Sequence, residues 1–170
     1  ASHTDGAVTA YVRYNPQYSN PTSGVFMSRN STDDEFTLLT PTDFSMYSED
    51  DVAHVGWYYN PVKAGQPLWM EPYLNENINV YMISYVVPLY ASDGTSIGIV
   101  GMDIDFSTLT DNVDEISIYE TGYAFLLNGG GQIMHHKELA QGQNISELDA
   151  SLSGITGVLG DDTRQGTGYL

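Results

Sequence analysis

The chain has 170 residues, 41% of them apolar, enough to bury one sizeable core and too many for a wholly disordered polymer. Its 22 carboxylates face only Arg13, Arg29, Lys63, Lys137 and Arg164, and the resulting charge of -17 excludes a surface built to neutralise nucleic acid phosphates. The absence of cysteine removes disulfides and thiolate metal sites, and no apolar run reaches the roughly eighteen residues that a membrane-spanning helix needs.

The first residues, ASHTDGAV, lack the charged-then-apolar plan of a signal peptide. From Ala7, the stretch AVTAYVRYN is rich in β-branched and aromatic residues and closes on Asn15-Pro16, which predicts a strand. GVFMSR and EFTLL are shorter strand candidates. Ser48 followed by Asp51 approximates a capping signature, with Val52, Val55 and Tyr59 at helical spacing behind it. A short helix is expected there, carrying Trp57 and Tyr58 at its end. PLWMEPY and VYMISYVVPLY predict strands joined around NENIN, and SDG turns tightly into TSIGIVGMDIDF, so this part reads as an antiparallel meander. In the last strand Val100, Met102, Ile104 and Phe106 alternate to one face while Ile99, Gly101, Asp103 and Asp105 take the other.

STLTDNVDEI follows, with Ser107 placed as an N-cap and Leu109, Val113 and Ile116 on one stripe, which predicts a helix closing the unit. The pattern then restarts. GYAFLLNGGGQIMHH reads as strand, glycine turn and strand, followed by Ile145, Leu148, Leu152, Ile155 and Leu159 at helical spacing. The fold class is therefore α+β with antiparallel sheets, and a boundary falls near Ile118. The chain opens just before a strand pattern and stops at QGTGYL, where another strand begins, so an excised domain is expected.

One segment, VGWYYNPVKAGQPLWMEPY, gathers Trp57, Tyr58, Tyr59, Trp69 and Tyr73 yet is broken by Gly56, Pro61, Gly65, Pro67 and Pro72. Aromatics on a chain that keeps turning line a concave surface more often than aromatics on an unbroken element. With GWYYNP, LWMEPY, ISYVVPLY, GIVGMDID and IYETGYAFLLNGGGQIMHH in this order, the sequence resembles the double Cache family, the extracytoplasmic sensor domains of bacterial transmembrane receptors. The resemblance implies two stacked PAS-like modules, a membrane-distal one over residues 1–117 that binds the ligand and a membrane-proximal one over 118–170 that is truncated. It further implies a long N-terminal helix missing from the fragment, flanking transmembrane helices, a homodimeric receptor and an output that lies outside the chain. That output is a chemotaxis module, a histidine kinase or a cyclic-dinucleotide enzyme. No cofactor and no catalytic residue are implied.

Family members that bind amino acids hold the ammonium group with an aspartate and aromatic side chains, and the carboxylate with an arginine. By that pattern Trp57, Tyr58, Tyr73 and Asp103 match. Val55 stands at the arginine position, Asp50 at a tyrosine position and Asn75 at a second acidic position. A carboxylate withdrawn from water costs several kcal/mol unless paired, and no base lies near Asp103 in sequence. A bound cation would pair it, and Trp57, Tyr58 and Tyr73 would each add roughly 0.5–2 kcal/mol of cation–π attraction. With Val55 in place of a guanidinium, a small amine or quaternary ammonium ligand is expected ahead of a zwitterionic amino acid. The alternatives are an amino acid or other small metabolite in the same pocket, an adhesive or sugar-binding strip, or a plain core in which Asp103 bonds backbone amides.

Other patterns carry less. His135-His136 point to opposite faces of a strand and have no second ligand pair at metal spacing. His54, one turn before Tyr58, is expected on the helix surface. The acid clusters SEDD and DDT lack the spacing of a calcium loop, and NGGGQ lacks the lysine of a phosphate loop. A glycosidase pair of Asp103 and Asp105 is disfavoured, because residues two apart on a strand lie about 6–7 Å apart with parallel directions, not across a substrate.

Overall fold

The computed structural model describes residues 4–31, 33–75 and 80–148. The chain divides into two units, Ala1–Leu109 and Thr110–Leu170. In the first, the β-branched and aromatic runs become β1 (Ala7–Tyr14), β2 (Gly24–Ser28), β3 (Thr37–Leu39), β4 (Leu68–Trp69), β5 (Tyr73–Asn75), β6 (Val80–Tyr90) and β7 (Ser96–Asp105). They form one sheet in the order β3-β2-β1-β7-β6-β4, with β5 also paired to β6. Every pairing is antiparallel. PLWMEPY does not make one strand: proline cannot donate to a ladder, and the run splits around Pro72 into β4 opposite Val86 and β5 opposite Met82.

The helix α1 (Val52–Ala64) is longer than its sequence signals predict. Asp51 rather than Ser48 caps it, accepting from the His54 N–H, and Gly65 ends it in the left-handed region at φ 71°. Asn60-Pro61 reads as a stop in isolation, yet Pro61 is buried and the helix continues past it, so Trp57 and Tyr58 lie mid-helix. Packing outweighs the one backbone bond that proline removes. A second helix, α2 (Phe106–Asp114), follows β7 directly. Its start is fixed by Asp105, whose carboxylate accepts from Ser107 N–H at 2.8 Å and from Ser107 Oγ at 2.7 Å, so Asp105 takes the capping part that Ser107 was expected to play.

α1 lies against β6 and β7. The core between them is Tyr11, Phe44, Val55, Trp57, Tyr58, Val86 and Ile99. Alternation along β7 puts Ile99, Gly101 and Asp103 on the core side and leaves Val100 exposed on the other. Gly101 has a steric task here: a Cβ at this position would stand 2.4 Å from the Tyr11 ring, so only glycine lets that ring lie across β7.

The second unit holds two short hairpins, β8 (Ser117–Ile118) with β9 (Gly122–Tyr123) and β10 (Leu126–Leu127) with β11 (Ile133–His135). The glycine run forms the expected turn between β10 and β11, closed by Gly131 N–H on the Asn128 carbonyl at 3.0 Å. A single helical turn, α3 (Ile145–Leu148), follows. The rest of the predicted stripe, Leu152, Ile155 and Leu159, lies outside the described residues.

Candidate functional site

Asp103 is 1% exposed. It sits on the central strand β7, opposite Thr9 of β1 and Ser84 of β6, because the three strands run in register at this point. Thr9 Oγ1 donates a short hydrogen bond to Oδ2, and the Tyr11 hydroxyl donates to Oδ1 at 3.0 Å. Ser84 also bonds the carboxylate, and its hydroxyl in turn meets the Tyr73 hydroxyl at 3.0 Å. Every one of these partners is neutral. Burial raises the Asp103 carboxyl above its usual range, opposed by hydrogen bonds from Thr9, Ser84 and Tyr11. Burial and then the nearby Asp103 raise Tyr11 and Tyr73 in turn, so both remain protonated donors at neutral pH. Among the described residues no basic side chain forms an ion pair with Asp103. A buried carboxylate held by hydroxyls alone is a site that a cation stabilises.

A cavity of about 100 Å³ opens over this carboxylate. Asp103, Tyr11, Trp57 and Asn75 line one part of it; Phe26, Leu39, Thr40 and Thr42 line the other. Tyr11 stacks on Phe26 at 5.8 Å and meets Trp57 edge-on at 5.1 Å, and Trp57 is anchored by its Nε1–H on the His54 carbonyl at 2.8 Å. The cavity is smaller than the roughly 150 Å³ that accommodates benzene in an engineered core. It admits the head of a small molecule.

Of the residues expected at the site, Trp57, Asn75 and Asp103 share this cavity. Tyr73 stands one hydrogen bond behind, joined to Asp103 through Ser84. Tyr58 and Val55 do not line it among the described residues: both are buried in the core, at 1% and 0% exposure. Helical geometry gives the reason, since positions 55 and 58 lie one turn apart on a single stripe while 57 is turned aside. Tyr59 packs against the same core, but Trp69 is 54% exposed and rests on Tyr85 at 4.9 Å.

Sequence reasoning missed the contribution of β1. Thr9, Tyr11 and Arg13 alternate with Val8, Ala10 and Val12, and that polar series on a strand was the available signal. The histidines have local partners: His54 meets Asp51 at 2.9 Å, His135 meets Asp114 at 2.8 Å, and His136 meets the Tyr123 hydroxyl at 3.2 Å. Among the described residues no group of three metal-ligating side chains comes together.

Residues 2–111 match the family model of the methyl-accepting chemotaxis protein-like first PDC sensor domain. The chain is 27% identical over 124 residues to the methyl-accepting chemotaxis protein PctB of Pseudomonas aeruginosa, covering 73% of this chain and 18% of that protein. It thus spans less than a fifth of that curated relative. Among solved structures, the extracellular domain of the histidine kinase mmHK1S-Z2 superposes with a TM-score of 0.59 at 21% identity, over 90% of this chain and 60% of that one. The PctB ligand-binding domain in complex with L-Arg superposes with a TM-score of 0.53 at 20% identity, over 82% and 51% of the two chains. These likenesses establish a shared fold, and with the match over most of the first unit the chain belongs to the first PDC sensor-domain family of methyl-accepting chemotaxis protein-like receptors.

Proposed function

We propose that the first unit is the ligand-sensing input module of a transmembrane receptor, displayed on the extracytoplasmic side, and that its ligand is an amino acid whose ammonium group docks on Asp103. The observation that carries this reading is a buried carboxylate on a cavity floor, served by neutral hydroxyls. A carboxylate offers about four lone-pair sites, so hydrogen bonds from Thr9 and Tyr11 leave room for a protonated amine. The Trp57 and Tyr11 rings would add cation–π attraction of roughly 0.5–2 kcal/mol each. The amino acid bound by the relative PctB supports the substrate class. In this reading residues 1–117 form the membrane-distal module and 118–170 the start of a proximal one, as in a double Cache receptor. The receptor would act as a dimer anchored by helices outside this chain. Ligand binding biases signalling only by its differential affinity for two receptor states.

A second reading, a simple amine without a carboxylate, is favoured by Val55, which is buried in the core where the family pattern has an arginine. Isothermal titration of the chain with the common amino acids and with matched amines separates the two. Saturable binding of an amino acid, lost in Asp103→Asn, is expected. Binding of amines alone would transfer support to the second reading, and heat from neither class would remove both.

A further inference from the structure

Among the described residues three buried side-chain donors of the first unit lack a hydrogen-bond partner, Arg13 Nη1 and the hydroxyls of Tyr58 and Ser96, and the first two belong to residues that pack on the same Phe44 ring. Arg13, from β1, is fully buried, with Nε donating to the Ser23 carbonyl at 3.2 Å and Nη2 to those of Pro21 at 2.9 Å and Thr42 at 2.7 Å. Among the described residues its Nη1 has no hydrogen-bond partner, and neither has the buried Tyr58 hydroxyl. The guanidinium lies 4.3 Å over the Phe44 ring, whose centroid is 4.7 Å from that of Tyr58, and each of the two groups perturbs the ionisation of the other. Burial lowers the Arg13 guanidinium only to about 10, so it is charged at neutral pH. Tyr58, raised by its own burial, is a neutral O–H.

No described carboxylate forms an ion pair with Arg13. Asp43, the acid that influences it, is half-buried and turned to Ser45, accepting from its N–H and Oγ at 2.9 and 2.7 Å. Proteins leave few buried donors unsatisfied. A guanidinium with one nitrogen lacking an acceptor, next to an unpartnered hydroxyl, is therefore a place prepared for an anionic acceptor. It adjoins the ligand cavity, because Thr42, whose carbonyl Arg13 holds, and Trp57, 6.0 Å from the guanidinium, both belong to the cavity wall.

We propose that Arg13 Nη1 and the Tyr58 hydroxyl form the anion subsite of the sensor, receiving the carboxylate of a ligand whose ammonium rests on Asp103. This assignment rests on the amino acid reading above and deepens it. It also supplies the positive pole that Val55 cannot. Thr9, which faces Asp103, and Arg13 are four residues apart on β1, about 13 Å of strand. Because Tyr11 stands between these two positions on the same face of β1, the poles do not meet on one carbon, which favours a ligand with its charges at opposite ends, an ω-amino carboxylate, over an α-amino acid.

Calorimetry with the whole chain tests this, using 5-aminopentanoate and γ-aminobutyrate against the decarboxylated controls n-butylamine and n-propylamine. The wild type is expected to bind 5-aminopentanoate at least tenfold more tightly than n-butylamine. Arg13→Met should close that gap and Tyr58→Phe narrow it severalfold, with both amines bound as before. Should Arg13→Met fail to fold, Tyr58→Phe, which deletes one hydroxyl, carries the test by itself. An undiminished gap in Tyr58→Phe and in a folded Arg13→Met overturns the subsite, and so does a loss that strikes acid and amine equally. If the wild type binds α-amino acids but neither ω-acid, the subsite falls while the sensing reading stands; if it binds no amino acid of either kind, both fall.

Discussion

Burial of Asp103 among neutral partners costs stability. Its folded carboxyl is raised by burial, so between the unfolded value near 3.8 and the folded value the native state holds more protons than the unfolded chain. Stability from this residue is therefore greatest at acid pH and declines as pH rises through the folded value. Asp103→Asn is predicted to melt at or a few degrees above the wild type at pH 7, with the difference shrinking toward pH 4, while ligand binding is lost. Thermal melts across pH check it, and a variant melting well below wild type would show that the charge itself holds the fold together. The acid was legible from sequence because alternation along β7 isolates it from an apolar face. Thr9, Tyr11 and Arg13 were not, since their part depends on a strand pairing between residues about ninety positions apart, such as Thr9 with Asp103. Val55 shows the converse limit: a motif assigns it by position, whereas the helix turns it into the core.

At the scale of elements, the long strands β6 and β7 were plain in the sequence because alternation and β-branched content agree over their length. The extent of α1 was not. A local rule stops it at Asn60-Pro61, and only burial of that face against β6 and β7 explains its continuation to Ala64. Its true end is Gly65, whose left-handed backbone places its N–H on the carbonyls of Pro61 and Val62. A Cβ at Gly65 meets only the Tyr90 hydroxyl, at 3.9 Å, so the cost of a side chain there is conformational and not steric. Gly65→Ala is predicted to lower stability by about 1 kcal/mol and to leave ligand affinity unchanged. Urea unfolding and calorimetry read the two quantities separately. At the other end of the helix, the Asp51 carboxyl is lowered chiefly by its hydrogen bond to His54. That contribution is present above the ordinary aspartate range and is lost as pH falls through the lowered folded value.

The whole molecule bears a charge of -17. Its long-range field attracts cations and is indifferent to molecules of zero net charge. Raising salt from about 20 mM to about 300 mM shortens the screening length to below 10 Å. Over that range n-butylamine is predicted to bind roughly threefold more weakly, whereas zwitterionic 5-aminopentanoate changes by less than about twofold. Equal salt responses of the two would place the attraction wholly inside the cavity. Composition thus told which surface the molecule presents but not which guest it holds, because five bases in the sequence do not reveal that Arg13 is buried beside Trp57. The same aromatic wall has an optical consequence. Of the two tryptophans, Trp69 is 54% exposed and is predicted to be open to iodide quenching, while Trp57, 5% exposed, is predicted to be shielded from it. Because Trp57 lines the cavity, the protein carries an intrinsic fluorescent reporter of its own occupancy.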